Sequence, residues 1–213
     1  PLVSVALFMA AIVAAFWYLR SEEIDRDNQA LQRDVEYAQQ RMRLRLLERQ
    51  EQVMLLARDL AAGDIGTSEF TNRAEVLTTQ YPELQSLTWV DRDGRVITSY
   101  ATPSVSSERL RMPSEKLQDD AAAHSFEQVK TTHLPVYTQP LAKPGDYPPM
   151  LQFQTPVLGI SSFGGTVMAE FSPDSLMRYA TPSELLAHYA MTLTDGHGTV
   201  IAGTPLTLSQ ADR

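Results

Sequence analysis

Residues 21–62 contain neither proline nor glycine, and this absence narrows what the chain can fold into. Apolar residues recur through the segment mostly at steps of three or four, which places them along one helical stripe. Charged residues fill most of the remaining positions. The pattern predicts a helix of about 40 residues and about 60 Å. A helix of that length is too long for one small domain to cover.

The two halves of this predicted helix differ in character. The first half has a narrow apolar stripe with polar flanks, which is typical of a coiled-coil-like contact between two copies of the chain. The second half is richer in leucine and is expected to pack on a folded module. A single solvated helix lying along one domain is the alternative. The residues predicted to form the homodimer contact are Ile24, Leu31, Val35, Ala38 and Met42.

A run without charge precedes this helix, at residues 2–19, and Ser4 is its only clearly polar side chain. As a helix the run spans about 27 Å, enough to cross a bilayer core. It ends in three bulky aromatic residues, 16–18, whereas a cleaved signal peptide ends in small residues. A buried core helix would show a polar stripe, and none is present. The run therefore favours a transmembrane helix at 1–20.

The composition excludes several classes of function for this segment. The net charge of −8 disfavours nucleic acid as a partner, because phosphates require a basic surface. The absence of cysteine excludes disulfides and thiolate chemistry. The four histidines lack metal-ligand spacing, and no phosphate-binding loop of the G-x-x-x-x-G-K type occurs. No catalytic residue, metal ligand or cofactor is therefore predicted here.

One hairpin pattern occurs twice, at 87–99 and at 191–203. Each copy has a β-branched or apolar run, a turn with Asp and Gly, and a second β-branched run, with Thr, Asp, Gly, Val and Ile matching in register. Glycine supplies the positive φ that a tight turn needs. A supersecondary unit that recurs at domain spacing predicts two related modules in tandem.

Further elements are predicted around the first hairpin. Ser68 is expected to cap a short helix that ends at Gln80, and Ser114 a second helix that ends near Gln128. Ser172 with the proline after it, and Thr181 in a capping box, are signals for two later helices.

Two longer strands are expected at 150–158 and 165–171, after a proline-rich excursion at 131–149. Together with the first hairpin they predict one antiparallel sheet of at least four strands with helices on one side. This arrangement belongs to the α+β class.

These elements resemble a known family. Residues 81–91, Tyr-Pro-Glu-Leu-Gln-Ser-Leu-Thr-Trp-Val-Asp, lead a short helix into the first strand of a PAS-like sheet, behind a membrane-spanning helix and a long helix. The combination resembles the extracytoplasmic sensor region of bacterial transmembrane receptors, of the double PAS-like group called double Cache or PDC. Some features also fit CHASE-type relatives. The chain lacks the tyrosine, arginine and tryptophan pattern of the group's amino-acid-binding members.

The resemblance implies a division of the chain into four parts. These are a transmembrane helix at 1–20, a signalling and dimerisation helix at 21–62, a membrane-distal PAS-like module at 63–180 and the truncated start of a second module at 181–213. We expect the chain to be a piece of a longer protein.

The same resemblance implies a function. The segment is expected to sense a small molecule in the periplasm and to transmit the signal through the bacterial inner membrane, most naturally within a two-component sensor histidine kinase. A diguanylate cyclase or a chemoreceptor is the second possibility. A membrane-anchored structural or partner-binding module without a small-molecule ligand also stays open.

In PAS-like domains the ligand lies between the sheet and a loop-and-helix excursion, here residues 101–149. Gln152 and Gln154 share one strand face by alternation, and Lys130 could pair with an anion. Each candidate also has a plain structural interpretation, as core, lid or solvated surface. The predicted ligand contacts are Trp89, Tyr100, Lys130, Tyr137, Gln152 and Gln154.

Overall fold

A computed structural model describes residues 2–105, 110–117, 120–138, 150–159 and 162–204. The chain divides into two compact units, Pro1–Arg41 and Met42–Arg213. Helix α1, Leu2–Ala62, supplies the described residues of the first unit and the first residues of the second.

Helix α1 confirms the long helix predicted over 21–62. It ends where Gly63 adopts a φ of +76°, the left-handed conformation that favours glycine after a helix. Leu31 and Val35, two of the predicted dimer contacts, are exposed, and the side chain of Ile24 lies outside the described residues. The dimer contact itself stays a prediction.

Most side chains of the predicted transmembrane helix, 1–20, lie outside the described residues. No helix in the described part of the chain combines the length and the apolar character that crossing a bilayer requires.

The second unit folds around an antiparallel sheet. Its five strands lie in the order β2-β1-β5-β4-β3, and a separate two-stranded sheet pairs β6 with β7. The elements after α1 are α2 (Thr67–Gln80), β1 (Leu84–Asp91), β2 (Val96–Ala101), α3 (Asp120–Thr132), β3 (Val136–Thr138), β4 (Leu151–Leu158), β5 (Phe163–Phe171), α4 (Pro173–Ala180), α5 (Ser183–His188), β6 (Thr192–Thr194) and β7 (Val200–Gly203).

One face of the five-stranded sheet, here called the apolar face, packs against α1 and α2. Leu87, Ala169 and Phe153 form one cross-strand row on this face and are fully buried. Burying a leucine or phenylalanine side chain contributes about 1.5–3 kcal/mol, so this cluster is a main source of stability. The helix residues in the cluster are Val53, Leu56, Ala57, Leu60, Phe70 and Ala74.

Helix α3 lies against the opposite face of the sheet. Its residues Ala122 and Phe126 form a second buried cluster with Val90 of β1 and Met168 of β5. The expectation that helices lie on one side only was therefore wrong. Because β1 and β5 carry apolar residues on both faces, both faces need cover.

Three predicted helix caps are absent. The helix expected to begin at Ser114 begins at Asp120, because residue 114 has a φ of +70° and donates its N–H to the Val96 carbonyl at 2.7 Å. Helix α2 begins after Gly66 and α5 after Pro182, and neither has a side-chain cap. The cap at Ser172 is confirmed, since its Oγ accepts the Ser175 N–H at 3.2 Å.

The two hairpin turns have the same internal hydrogen bonds. Asp91 Oδ1 accepts the N–H groups of residues 93 and 95 at 2.8 and 2.9 Å. Asp195 Oδ1 accepts those of residues 197 and 199, each at 2.8 Å. Gly94 and Gly198 have φ values of +79° and +85°. The match in sequence is thus a match in turn geometry.

Replacing the turn aspartate should cost measurable stability. Asp91→Ala removes two hydrogen bonds to backbone N–H groups, and we expect it to lower the free energy of unfolding by about 1–2 kcal/mol. Urea unfolding followed by Trp89 fluorescence measures the loss. Asp93→Ala is the control, because Asp93 is exposed and its change should stay within about 0.5 kcal/mol. Equal losses in the two variants would contradict the role of Asp91.

Candidate ligand-binding site

The face of the sheet opposite the apolar face carries a row of polar side chains. Pairing of β1 with β5 places Ser86 beside Glu170. Pairing of β4 with β5 and with β3 places Gln152 beside Glu170 and Thr138 beside Gln152. These four residues, here called the polar row, point to the same side because paired residues share a face.

Glu170 is the centre of the polar row. Ser86 Oγ donates to Glu170 Oε2 at 2.6 Å, and Gln152 Nε2 donates to Glu170 Oε1 at 2.9 Å. Arg111 Nη2, from the segment 110–117, lies 3.4 Å from the same Oε1. Glu170 is 3% exposed. A carboxylate at that depth is costly unless it is paired and hydrogen-bonded, and these three donors meet that requirement.

A second polar layer lies one step along the same strands. Thr88 Oγ1 and Ser99 Oγ share a hydrogen bond of 2.8 Å. Gln154 Nε2 donates to the Ala122 carbonyl in the first turn of α3 at 2.8 Å, which fixes the helix to the sheet. The Thr166 hydroxyl also lies 3.4 Å from Gln154 Oε1.

Helix α3 and the segment 110–117 cover this polar surface. Ser125 of α3 shares a hydrogen bond with Thr138 at one end of the polar row. Arg111, in the segment 110–117, reaches Glu170. The site therefore holds one buried carboxylate, one guanidinium and several neutral donors and acceptors between the sheet and a cover formed by one helix and one loop segment. Such a set suits a small polar molecule.

The structure brings two of the six predicted ligand contacts together at this site. Gln152 and Gln154 are both buried and both point to the α3 side. Lys130 also lies on α3, but it is exposed, with Nζ 5.7 Å from the centre of the Phe126 ring.

The three aromatic candidates lie on the apolar face. Tyr100 pairs with Leu87, and the Trp89 ring lies 6.0 Å from that of Phe70. Tyr137 lies 4.8 Å from the Phe153 ring, and desolvation raises the pKa of Tyr137 to about 12. A ligand role for these residues stays a prediction, separate from the polar row.

Sequence reasoning missed the residues at the centre of the site, Ser86, Arg111 and Glu170. A signal for one of them is present, since Glu170 is the only charged residue in β5. A single carboxylate in an otherwise apolar strand indicates a buried side chain that has a polar partner. Arg111 gave no comparable signal. Among the described residues no cluster of histidine, aspartate and glutamate could hold a metal ion.

The chain matches no protein-family model and no curated protein sequence. Its backbone is similar to solved sensory domains. An extracellular ligand-binding receptor from Desulfohalobium retbaense is 15% identical, with a TM-score of 0.59 over 82% of this chain, and the chain spans 32% of that receptor. The ligand-binding domain of the Campylobacter jejuni chemoreceptor Tlp3, solved with L-norvaline, is 11% identical, with a TM-score of 0.56 over 85% of this chain and 72% of that one.

The extracellular domain of mmHK1S-Z2, a protein classed as a histidine kinase, is 16% identical, with a TM-score of 0.51 over 68% of this chain and 60% of that one. At these identities the likeness shows the fold alone. The second unit, with its antiparallel sheet beside a long helix, thus has the fold of extracellular ligand-binding domains from chemoreceptors and related sensors.

Proposed function

We propose that this chain is the extracytoplasmic ligand-sensing region of a bacterial transmembrane receptor, and that a small molecule binds between the polar row and α3. The observation that carries the proposal is the burial of Glu170 with its three donors on the covered face of the sheet. A stabilising apolar layer would serve a purely structural sheet better, because desolvating a carboxylate costs free energy.

The charge of the site favours a ligand that carries hydrogen-bond donors or a cationic group. Glu170 offers the only carboxylate among the polar row, and its present partners are all donors. A ligand that binds there replaces one of these three donors with a donor of its own. Arg111 is the contact easiest to exchange, since its 3.4 Å distance is the longest of the three.

The setting of the sensor follows the family resemblance. We place the second unit in the periplasm, with residues 1–20 as the inner-membrane anchor and α1 as the contact between two copies. A two-component sensor histidine kinase is the host that we propose first, and a chemoreceptor or diguanylate cyclase second. Similarity to the Tlp3 domain and to the extracellular domain of mmHK1S-Z2 supports both kinds of host.

A ligand screen with a matched pair of variants tests the proposal. Thermal unfolding of the chain is measured against a panel of small polar metabolites that includes amines and amino acids. A ligand that binds only the folded state at about 100 times its Kd stabilises it by about 2.7 kcal/mol. We expect such a shift in the wild type and its loss in Glu170→Gln.

Glu69→Gln is the control, because Glu69 is an exposed carboxylate on α2, outside the polar row. It should keep the full shift. A panel without any hit, or a hit whose shift survives Glu170→Gln, would contradict the proposed site. Capture of a protein partner without small-molecule shifts would favour the partner-binding alternative.

A further inference from the structure

A buried carboxylate joins α1 to the beginning of β1. Glu83 is fully buried, and its Oε1 accepts hydrogen bonds from Arg45 Nε at 2.9 Å and from Arg49 Nε at 3.0 Å. Arg45 and Arg49 lie four residues apart on α1, so they reach the carboxylate from one side of the helix. We call these three residues the latch.

Two neighbouring groups hold the arginines in place. The Arg49 guanidinium lies over the Tyr81 ring, 3.7 Å from its centre, and Arg45 Nη1 donates to the Tyr179 carbonyl at the end of α4. The latch therefore joins α1, the entry to β1 and α4 at one point. Desolvated cation–π and charge-assisted contacts of this kind are directional, so they resist small displacements.

Two short backbone segments connect the latch to the polar row. Ser86 of β1 follows Glu83 by three residues. Ser172, directly after β5, follows Glu170 by two residues and donates its N–H to the Glu83 carbonyl at 2.8 Å. The pairing of β1 with β5 shifts register between residues 84 and 86, directly between the site and the latch. Such an irregularity interrupts the regular hydrogen-bond ladder between the two strands.

The two oxygens of the Glu83 carboxylate have different surroundings. Both arginine Nε groups bind Oε1, and within the described part of the chain Oε2 is buried without a hydrogen-bond partner. A buried acceptor without a donor is costly, and a small shift of Arg49 toward Oε2 would supply that donor. A switching element needs two such discrete arrangements.

We infer that Glu83, Arg45 and Arg49 form a latch that passes the state of the Glu170 site to α1. This inference rests on the proposed function, because it assigns a means of regulation to the same site. A change at Glu170 moves β5, the Ser172–Glu83 hydrogen bond carries the movement to β1, and the arginines carry it to α1.

A double-mutant comparison by hydrogen exchange tests the latch. Glu170→Gln perturbs the site and takes the place of an unidentified ligand. Glu83→Gln opens the latch by removing the charge that both arginines bind, and Arg45→Gln removes one of the two arginine contacts and should weaken the coupling. The readout is amide exchange over residues 45–58 of α1. With the latch intact, we expect Glu170→Gln to change exchange there about tenfold, which is the effect of one charge-assisted hydrogen bond. With the latch opened, the same substitution should change exchange less than about twofold.

Arg45→Gln guards against a misfolded Glu83→Gln variant, because Arg45 is partly exposed and its loss is milder. Protection of the β4 and β5 amides shows that each variant is folded. Arg73→Gln is the matched control: Arg73 also pairs with two carboxylates, Asp59 and Glu69, but on the surface. The Glu170→Gln effect should persist in that background.

Equal effects of Glu170→Gln with the latch intact and opened would overturn the inference, as would no effect on α1 in either background. The proposed function fails in a different experiment, the ligand screen, which this comparison does not use. The two failures are therefore distinguishable.

Discussion

Gly165→Ala is expected to be among the most destabilising single substitutions in this chain. Gly165 has a φ of +123°, which side chains with a Cβ rarely adopt. A Cβ at this position would overlap the Val90 carbonyl oxygen and lie 2.8 Å from the Asp91 carbonyl carbon. Backbone strain and overpacking each cost about 1–3 kcal/mol. We expect the free energy of unfolding to fall by at least about 3 kcal/mol.

Urea unfolding followed by Trp89 fluorescence measures this effect. Gly196→Ala is the matched control, because nothing lies within 4 Å of a Cβ at Gly196 and its φ is outside the left-handed region. The control should change stability by about 0.5 kcal/mol or less. A loss for Gly165→Ala as small as that of the control would show that β1 and β5 can separate to admit a methyl group.

Glu83→Ala is the second substitution with a large expected effect. It removes the buried carboxylate from the Arg49 guanidinium, which keeps only its ion pair with the exposed Glu48, while Arg45 can turn toward solvent. Removing one partner of a buried ion pair costs about 3–5 kcal/mol. Because Arg45 is partly exposed, we expect a loss near the lower limit, about 3 kcal/mol, at neutral pH.

The same substitution should change the response to acid. Burial alone raises the pKa of Glu83, but hydrogen bonds from Arg45, the backbone and Arg49 outweigh it, so the pKa lies below its usual value. A carboxylate with a lowered pKa contributes stability above the unfolded pKa, about 4.3, and loses it as the pH falls through the folded pKa. The stability difference between wild type and Glu83→Ala should therefore shrink below about pH 4.3.

Unfolding curves at a series of pH values between about 7 and 3 check this expectation. Glu69→Ala is the control, because the Glu69–Arg73 pair is exposed and such pairs contribute about 0–1 kcal/mol. A difference for Glu83→Ala that stays constant with pH would show that its effect comes from packing rather than from charge.

Local patterns predicted much of the fold. The end of α1 before Gly63 follows from an unbroken helical pattern and a glycine that can adopt positive φ. Both hairpin turns follow from Asp and Gly at fixed positions, and the cap at Ser172 from the proline after it. Each of these features depends on residues within four or five positions of one another.

The candidate site could be predicted only in part. Alternation along β4 placed Gln152 and Gln154 on one face, which the structure confirms as the face under α3. Alternation could not assign Trp89 or Tyr100 to a face of the sheet, because the local sequence does not determine which face of β1 or β2 a given helix covers. The predicted start of α3 was wrong for the same reason. Residue 114 does not cap a helix, because its N–H donates to the Val96 carbonyl in β2.

The sequence by itself determined where the two hairpins turn, where α1 and α2 end and which residues share a strand face, because these depend on backbone conformation and on periods of two and 3.6 residues. Only the tertiary structure decided that one sheet face packs on α1 and α2 while the other combines an apolar cluster with the polar row, and that Glu83 and Glu170 are buried. The partners that make a buried carboxylate tolerable come from elements far apart along the chain: Arg45 and Arg49 for Glu83, and Ser86, Arg111 and Gln152 for Glu170. Spatial proximity of that kind exists only once the sheet has formed.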